Sequence, residues 1–254
     1  MLRPRIFPTL LINGIGLIKT IKFENPRYIG DPLNAAKIFT EKGVDELAVL
    51  DRMATSQGRV ISHEIITRIS EECSMPVSAG GGIKNLEQIR LLLKAGAEKI
   101  IINTYAIDHP DFVKEAVDYF GSSTIVISID VKKIHGGGYH VFTHSGQQEL
   151  NKNPEEIATL MEKNGAGEIL INSIDCDGMM EGYDLNLIKR VADSISIPII
   201  ACGGAGKLED LYLAIKEGHA SAATAGSMFI FQGKKRAVLI NFPSKKDLQT
   251  LFYS

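Results

Sequence analysis

Two hydrophobic periods trade places along this chain from one end to the other. Short apolar runs recur at Arg5–Ile12, Glu46–Asp51, Val77–Ala79, Lys99–Ile102, Thr124–Asp130, Glu168–Asn172, Ile199–Cys202 and Ala222–Ala225. Each reads as a strand buried on both faces. Between them, apolar residues fall three and four apart at Pro32–Glu41, Ile61–Glu72, Asn85–Ala95, Asp111–Phe120, Pro154–Asn164, Asp184–Ser194 and Lys207–Glu217. That spacing predicts helices packed by one stripe. Strand and helix in strict alternation predict a parallel sheet of βα units. Eight strands with seven or eight helices total a (β/α)8 TIM barrel, and 254 residues suit one such domain spanning 1–254.

Two stretches interrupt the rhythm. Val131–Gly146 carries Gly136-Gly137-Gly138 between β-prone residues and reads as a hairpin inserted after the fifth strand. Asn13 to Gly30 is long for a connection between a strand and a helix, and loops of that length are often lids. Lys19 lies within it, where it could reach a phosphate or a developing charge, or simply be solvated.

The chain also repeats itself. Met75-Pro76-Val77-Ser78-Ala79-Gly80-Gly81-Gly82 returns 122 positions later as Ile197-Pro198-Ile199-Ile200-Ala201-Cys202-Gly203-Gly204-Ala205-Gly206. In both copies a buried strand runs into glycines that leave backbone N–H groups bare, and a helix then opens with its unpaired donors. Val44–Asp51 parallels Ala166–Asp175 in the same way, with Glu46 and Glu168 at the closed end of their strands. The expected architecture is therefore two duplicated half-barrels holding a ligand with a phosphate at each end. The candidate phosphate contacts are Gly81, Gly82, Asn103 and Thr104 on one side, and Gly204, Ala205, Gly206, Gly226 and Ser227 on the other. Helix capping would use the same residue types.

Barrel chemistry sits at the C-terminal ends of strands. Asp130 ends the fifth strand and is the candidate general acid or base; capping of the next loop is its alternative. Asp51, Asp175 and Asp177 also stand at strand ends, and Asp177-Gly178 is a turn signal that can double as a ligand contact. His144-Ser145 reads mainly as surface, with a pocket-facing position as the alternative. Composition narrows the classes. A net charge of −2 gives no basic face for bulk nucleic-acid binding. Cys73, Cys176 and Cys202 form no C-x-x-C pair, which suits a reducing compartment. No apolar run has the length of a membrane span, and Met1-Leu2-Arg3-Pro4-Arg5 precedes no signal-like h-region, so a cytoplasmic protein is expected. No dinucleotide, Walker or nucleophile-elbow motif and no metal-like histidine cluster occurs, so neither cofactor nor metal is expected.

Collinear segments now carry a resemblance: Arg5-Ile6-Phe7-Pro8, Phe23-Glu24-Asn25, Gly30-Asp31-Pro32, Gly80-Gly81-Gly82-Ile83, Ile102-Asn103-Thr104, Ile129-Asp130, Phe142-Thr143-His144-Ser145-Gly146, Ser173-Ile174-Asp175-Cys176-Asp177-Gly178 and Gly203-Gly204-Ala205-Gly206-Lys207. From Arg5 to about Phe231 the chain resembles the cyclase subunit of imidazole glycerol phosphate synthase. The resemblance implies a glutaminase subunit on the closed face, ammonia passing through the barrel, and a gate formed by Arg5, Glu46, Lys99 and Glu168. It also implies two catalytic aspartates at the ends of strands one and five. The second is Asp130; the first falls on Leu11, which cannot exchange a proton. Leu10-Leu11-Ile12, Pro26–Pro32 and Val238–Ser244 look like a paralogous branch associated with acetamidino modification of surface-polysaccharide sugars, working with a glutaminase and an ATP-dependent sugar amidotransferase. Three readings follow: an ammonia-conducting subunit diverted to sugar amidination, a working histidine-pathway cyclase/lyase, and a non-catalytic subunit that activates a glutaminase by docking.

Overall fold

The computed structural model describes residues 4–233 and 235–253; Met1, Leu2 and Arg3, read above for a leader, lie outside the described residues, as do Lys234 and Ser254. In chain order the strands are β1 (Arg5–Asn13), β2 (Gly16–Ile21), β3 (Glu24–Gly30), β4 (Leu47–Asp51), β5 (Val77–Gly80), β6 (Lys99–Ile102), β7 (Ile125–Lys133), β8 (Tyr139–Thr143), β9 (Gln148–Leu150), β10 (Glu168–Ser173), β11 (Ile199–Cys202), β12 (Ala222–Ala225), β13 (Phe231–Gln232) and β14 (Ala237–Val238). The helices are α1 (Pro32–Lys42), α2 (His63–Glu72), α3 (Leu86–Lys94), α4 (Thr104–Asp108), α5 (Pro110–Phe120), α6 (Pro154–Lys163), α7 (Leu185–Ala192), α8 (Leu208–Lys216), α9 (Ser227–Ile230) and α10 (Lys245–Tyr253).

β1, β4, β5, β6, β7, β10, β11 and β12 pair in parallel in that order, and β12 returns to β1. The ring closes, and the fold is the (β/α)8 barrel expected. Side chains along each barrel strand alternate between helix-facing and axial positions. Ile6, Leu10 and Ile12 join the large core under the helices, whereas Phe7 meets Ala48, Ile101, Val126, Leu170, Ile200 and Ala222 on the axis. The helices begin where local chemistry supplies a cap. Asp31 accepts from Leu33 N ahead of Pro32, Ser62 caps α2, and Asn85 caps α3. Gly43 ends α1 in the left-handed region. α1 and α2 then bury Phe39, Ile66 and Ile69 completely, each worth about 1.5–3 kcal/mol of apolar burial.

The backbone repeats as the sequence does. Leu47 N donates to Pro76 O at 2.9 Å, and 122 positions on Ile169 N donates to Pro198 O at 3.0 Å. The insertion after the fifth barrel strand is present. β7 runs on to Lys133 because β8 pairs antiparallel with its last four residues, and β9 pairs with β8. The first connection differs from the expected loop. Asn13 to Gly30 is a hairpin, β2 pairing antiparallel with β1 and then with β3. Its first turn is Gly14-Ile15, with Gly14 at φ +61°, which suits a two-residue hairpin opened by glycine. Leu17, Ile18, Lys19 and Thr20 are consequently all buried, and Lys19 is not a solvated loop residue.

Candidate functional site

At the closed end, four charges meet across the barrel axis. Arg5 bonds Glu46 at 2.7 Å through Nη1 and Glu168 at 2.8 Å through Nη2. Lys99 Nζ bonds Glu168 at 2.9 Å and stands 3.6 Å from Glu46. Ser78 Oγ donates to the other Glu46 oxygen at 2.5 Å. Two cations and two anions thus form a closed ring of ion pairs, each carboxylate shared by both cations. Next on the axis comes the apolar layer around Phe7, over whose ring the Arg5 guanidinium lies at 6.0 Å.

At the open end lies a cavity of about 370 Å³. Its lining takes in Lys19, Gly81, Gly82, Asn103, Thr104, Asp130, Asp177, Gly178, Gly204, Ala205, Gly226 and Ser227, so residues scattered across the chain converge here. Gly206 is outside that lining; its N–H goes to Asp210 Oδ2 at 2.8 Å and helps cap α8. Asp175 is outside it too, accepting from Lys133 N at 2.8 Å. The glycine loops need glycine because backbone presses on them. A Cβ at Gly82 would lie 1.9 Å from Arg59 O, and one at Gly204 2.1 Å from Gly182 O.

Asp130 sits between two carboxamides. Asn103 Nδ2 donates to Oδ2 at 3.0 Å, and Asn172 Nδ2 donates to Oδ1 at 3.1 Å. Asn103 therefore serves Asp130 and makes no side-chain cap to α4. Burial pushes the Asp130 carboxyl up to about 7; the two amides, turned as here to donate to the carboxylate, oppose the shift, and the nearby Asp177 adds to it. Across the barrel, four strands away, Leu11 lines the same cavity. Lys19 Nζ donates to Thr9 O at 3.0 Å beside Gly226, and burial lowers its pKa to about 8, opposed by Asp177 and Cys202. Asp177 accepts from Thr20 Oγ1 at 3.0 Å; burial raises its pKa, while Lys19 and Thr20 hold it down.

The roof was not legible from spacing. Lys22 and Phe23 turn the hairpin with φ of +53° and +64°, and Lys22 N donates to Asp177 O at 2.9 Å. Phe23 closes over the cavity, and the Arg52 guanidinium donates to Phe23 O. Ser145 Oγ donates to Arg52 O at 2.9 Å, and His144 N donates to Thr104 Oγ1 at 3.1 Å, so His144 and Ser145 face the cavity after all. Asp51 also lines it, but its two oxygens are taken by Arg59 at 2.6 and 3.1 Å.

Residues 5–235 match the family described as histidine biosynthesis protein. A Leptospira interrogans protein named "Putative imidazole glycerol phosphate synthase subunit HisF" is 47% identical over 254 residues, covering 100% of both chains. Proteins with the same description, suffixed hisF2 in Pseudomonas aeruginosa and hisF3 in Vibrio vulnificus, are 44% and 40% identical; they align over 98% and 97% of this chain and 99% and 95% of their own. A closed barrel with two glycine cradles, matched over nearly its whole length, leaves one assignment: this chain belongs to the histidine biosynthesis protein family.

Proposed function

We propose that this chain is the synthase-type subunit of a glutamine amidotransferase complex, conducting ammonia for the formation of an acetamidino group on a surface-polysaccharide sugar. A glutaminase would dock on the closed face, outside the ring of Arg5, Glu46, Lys99 and Glu168, and these four would gate entry of ammonia. An ATP-dependent sugar amidotransferase would receive it: the activated N-acetyl oxygen leaves and the ammonia nitrogen takes its place, turning amide into amidine. The observation that carries this reading is Leu11 in the cavity wall opposite Asp130. Cyclisation of the family's ribulosyl substrate calls for an acid and a base, and this wall offers an aliphatic side chain where the second is expected. The numbered names of two relatives fit a branch standing beside a principal cyclase.

A second reading, a working histidine-pathway cyclase/lyase acting on a bisphosphorylated ribulosyl substrate, draws on the two glycine cradles and on Asp130, whose pKa of about 7 suits proton transfer. In it Gly81, Gly82, Asn103 and Thr104 hold one phosphate, and Gly204, Ala205, Gly226 and Ser227 the other, with Lys19, Asp177 and Gly178 between them. One assay separates the two. Purified protein with ammonium salt and the ribulosyl substrate is expected to show little cyclisation, and Leu11→Asp is expected to raise it by roughly 10²–10⁴-fold. Robust turnover by the parent chain, unchanged in Leu11→Asp, would overturn the first reading in favour of the second.

A further inference from the structure

Asn172 is an amide near the C-terminal end of the buried strand β10, with one end used and the other stranded. Its Nδ2 donates to Asp130 Oδ1 at 3.1 Å. Its Oδ1 is enclosed and has no hydrogen-bond partner. A buried carbonyl oxygen left unpaired is costly and calls for a reason. Two further facts supply one. A Cβ built on Gly203 would lie 2.5 Å from that oxygen, so a glycine is what leaves the amide room on its far side. Asn172 and Asp130 are also direct register partners on β10 and β7, which fixes the distance between the two groups whichever way the amide faces.

We infer that Asn172 is a positioning residue that serves both protonation states of Asp130 by reversing its carboxamide. With Asp130 ionised, Nδ2 donates to the carboxylate and Oδ1 faces Gly203. When Oδ1 of Asp130 takes up a proton, that hydroxyl becomes the donor. The amide turns half a revolution about its last bond, Oδ1 accepts from Asp130, and Nδ2 moves to the Gly203 side. The one bond formed is the O–H on Asp130, made with a proton from solvent; nothing else changes covalently. Burial already holds the Asp130 proton until about pH 7, so both states are populated under ordinary conditions. Among the described residues, the ionisable groups lining the cavity with this carboxyl are Asp177 after β10, Cys202 on β11, Lys19 on β2, Arg52 after β4, His144 in the turn after β8, and Asp51, Lys84, Tyr105, Asp108 and His109. Asp177 raises the midpoint and Cys202 is the register neighbour of Asn172 on β11, but the hydrogen-bonding partner of the Asn172 amide is Asp130. The inference rests on the Asp130 carboxyl and the amide beside it rather than on either reading of the function, and its test needs no substrate, so it and those readings can fail separately.

The test is NMR on the full chain, labelled at Asp carboxyl carbons and Asn side-chain nitrogens and titrated from pH 5 to 9. The Asn172 NH2 signals are expected to move with the same midpoint as the Asp130 carboxyl. Cross-relaxation from that NH2 to the Gly203 Hα protons is expected below the midpoint and absent above it. In Asp130→Asn, where a side-chain amide permanently replaces the acid hydroxyl as donor, the Gly203 contact is expected at every pH. In Asn172→Leu the Asp130 midpoint is expected to move by less than about half a pH unit, since a partner is lost to both states alike. An Asn172 amide with the same contacts at pH 5 and 9 would overturn the inference. So would a rise of the Asp130 midpoint by about one to two pH units in Asn172→Leu, the size of one lost charge-assisted hydrogen bond to the carboxylate alone.

Discussion

Glu46→Ala is the sharpest perturbation of the closed end, because it removes one of two anions from a ring that holds two cations. Three contacts disappear: Arg5 at 2.7 Å, Lys99 at 3.6 Å and the Ser78 hydroxyl at 2.5 Å. Among the described residues, Glu168 is then the one anion left to Arg5 and Lys99. Stripping one partner from a fully buried ionic group costs about 3–5 kcal/mol, because the opposite charge stays desolvated. Here the cations are not fully buried. The Arg5 side chain is 32% exposed and that of Lys99 18%, so water takes over part of the solvation and the loss falls to about 2–3 kcal/mol. For 254 residues the unfolding entropy near the melting point is about 0.5 kcal/mol per kelvin, so Tm should fall by roughly 4–6 °C in a calorimetric scan. High salt should narrow the gap only slightly, as the ring is mostly shielded. Glu72→Ala is the matched control: it breaks the exposed pair with Lys37 at 3.1 Å and should shift Tm by about 1 °C or less. A Glu46→Ala protein that melts within a degree of the parent would refute the view of the ring as a mutually dependent set.

Two further outcomes follow from the open end. Asp130 keeps its proton until about pH 7 when folded but loses it near 3.8 when unfolded, so its contribution to stability declines as pH rises between those values and is wholly unfavourable above 7. Asp130→Asn should therefore be more stable than the parent by roughly 2–4 kcal/mol in urea melts at pH 8, and should lose that advantage at pH 3.5; equal gains at both pH values would contradict the burial argument. Gly82→Ala should cost roughly 2–4 kcal/mol, from φ of +69° and the 1.9 Å approach to Arg59 O, whereas Gly14→Ala, at φ +61° but with nothing within 4 Å, should cost only about 1–2 kcal/mol. Parity of the two alanine variants in denaturant would show that the close approach carries no weight.

What the sequence disclosed depended on whether the signal was local. The eight barrel strands and the glycine cradles stood out because a two-sided apolar run and a glycine cluster are each written in consecutive residues. The hairpin after β1 carries a weaker signal, Gly14 between two apolar runs, because the turn residues are Gly14 and Ile15 rather than Asn-Gly, and the length of the segment reads as a loop. Its second turn had none, since Lys22 and Phe23 adopt positive φ without glycine or asparagine, under the pull of Asp177 O. Arg52 and Asn172 were equally hidden. Their roles depend on partners 29 and 42 positions away, Phe23 and Asp130, and no spacing rule joins those pairs. Asp51 is legible only as a strand end, because the cation that occupies it, Arg59, comes from a segment with no periodicity.

The duplication explains why the binding half of the site was easy to read and the chemical half was not. Each half-barrel builds its cradle from backbone. A Cβ at Gly81 would meet Asp51 O at 2.7 Å, and one at Gly203, 122 positions later, would meet Ser173 O at the same 2.7 Å. Backbone geometry survives any side-chain change that keeps the glycines, so the same device recurs in both halves. The two amides on Asp130 obey no such symmetry. Asn103 comes from the first half, where the second has Ala225, and Asn172 comes from the second, where the first has Leu50. Leu11, on the opposite wall, brings no polar group to match them. Backbone cradles repeated in both halves tolerate changes at Leu11, Asn103 or Asn172, which is how a family match over residues 5–235 coexists with leucine at position 11.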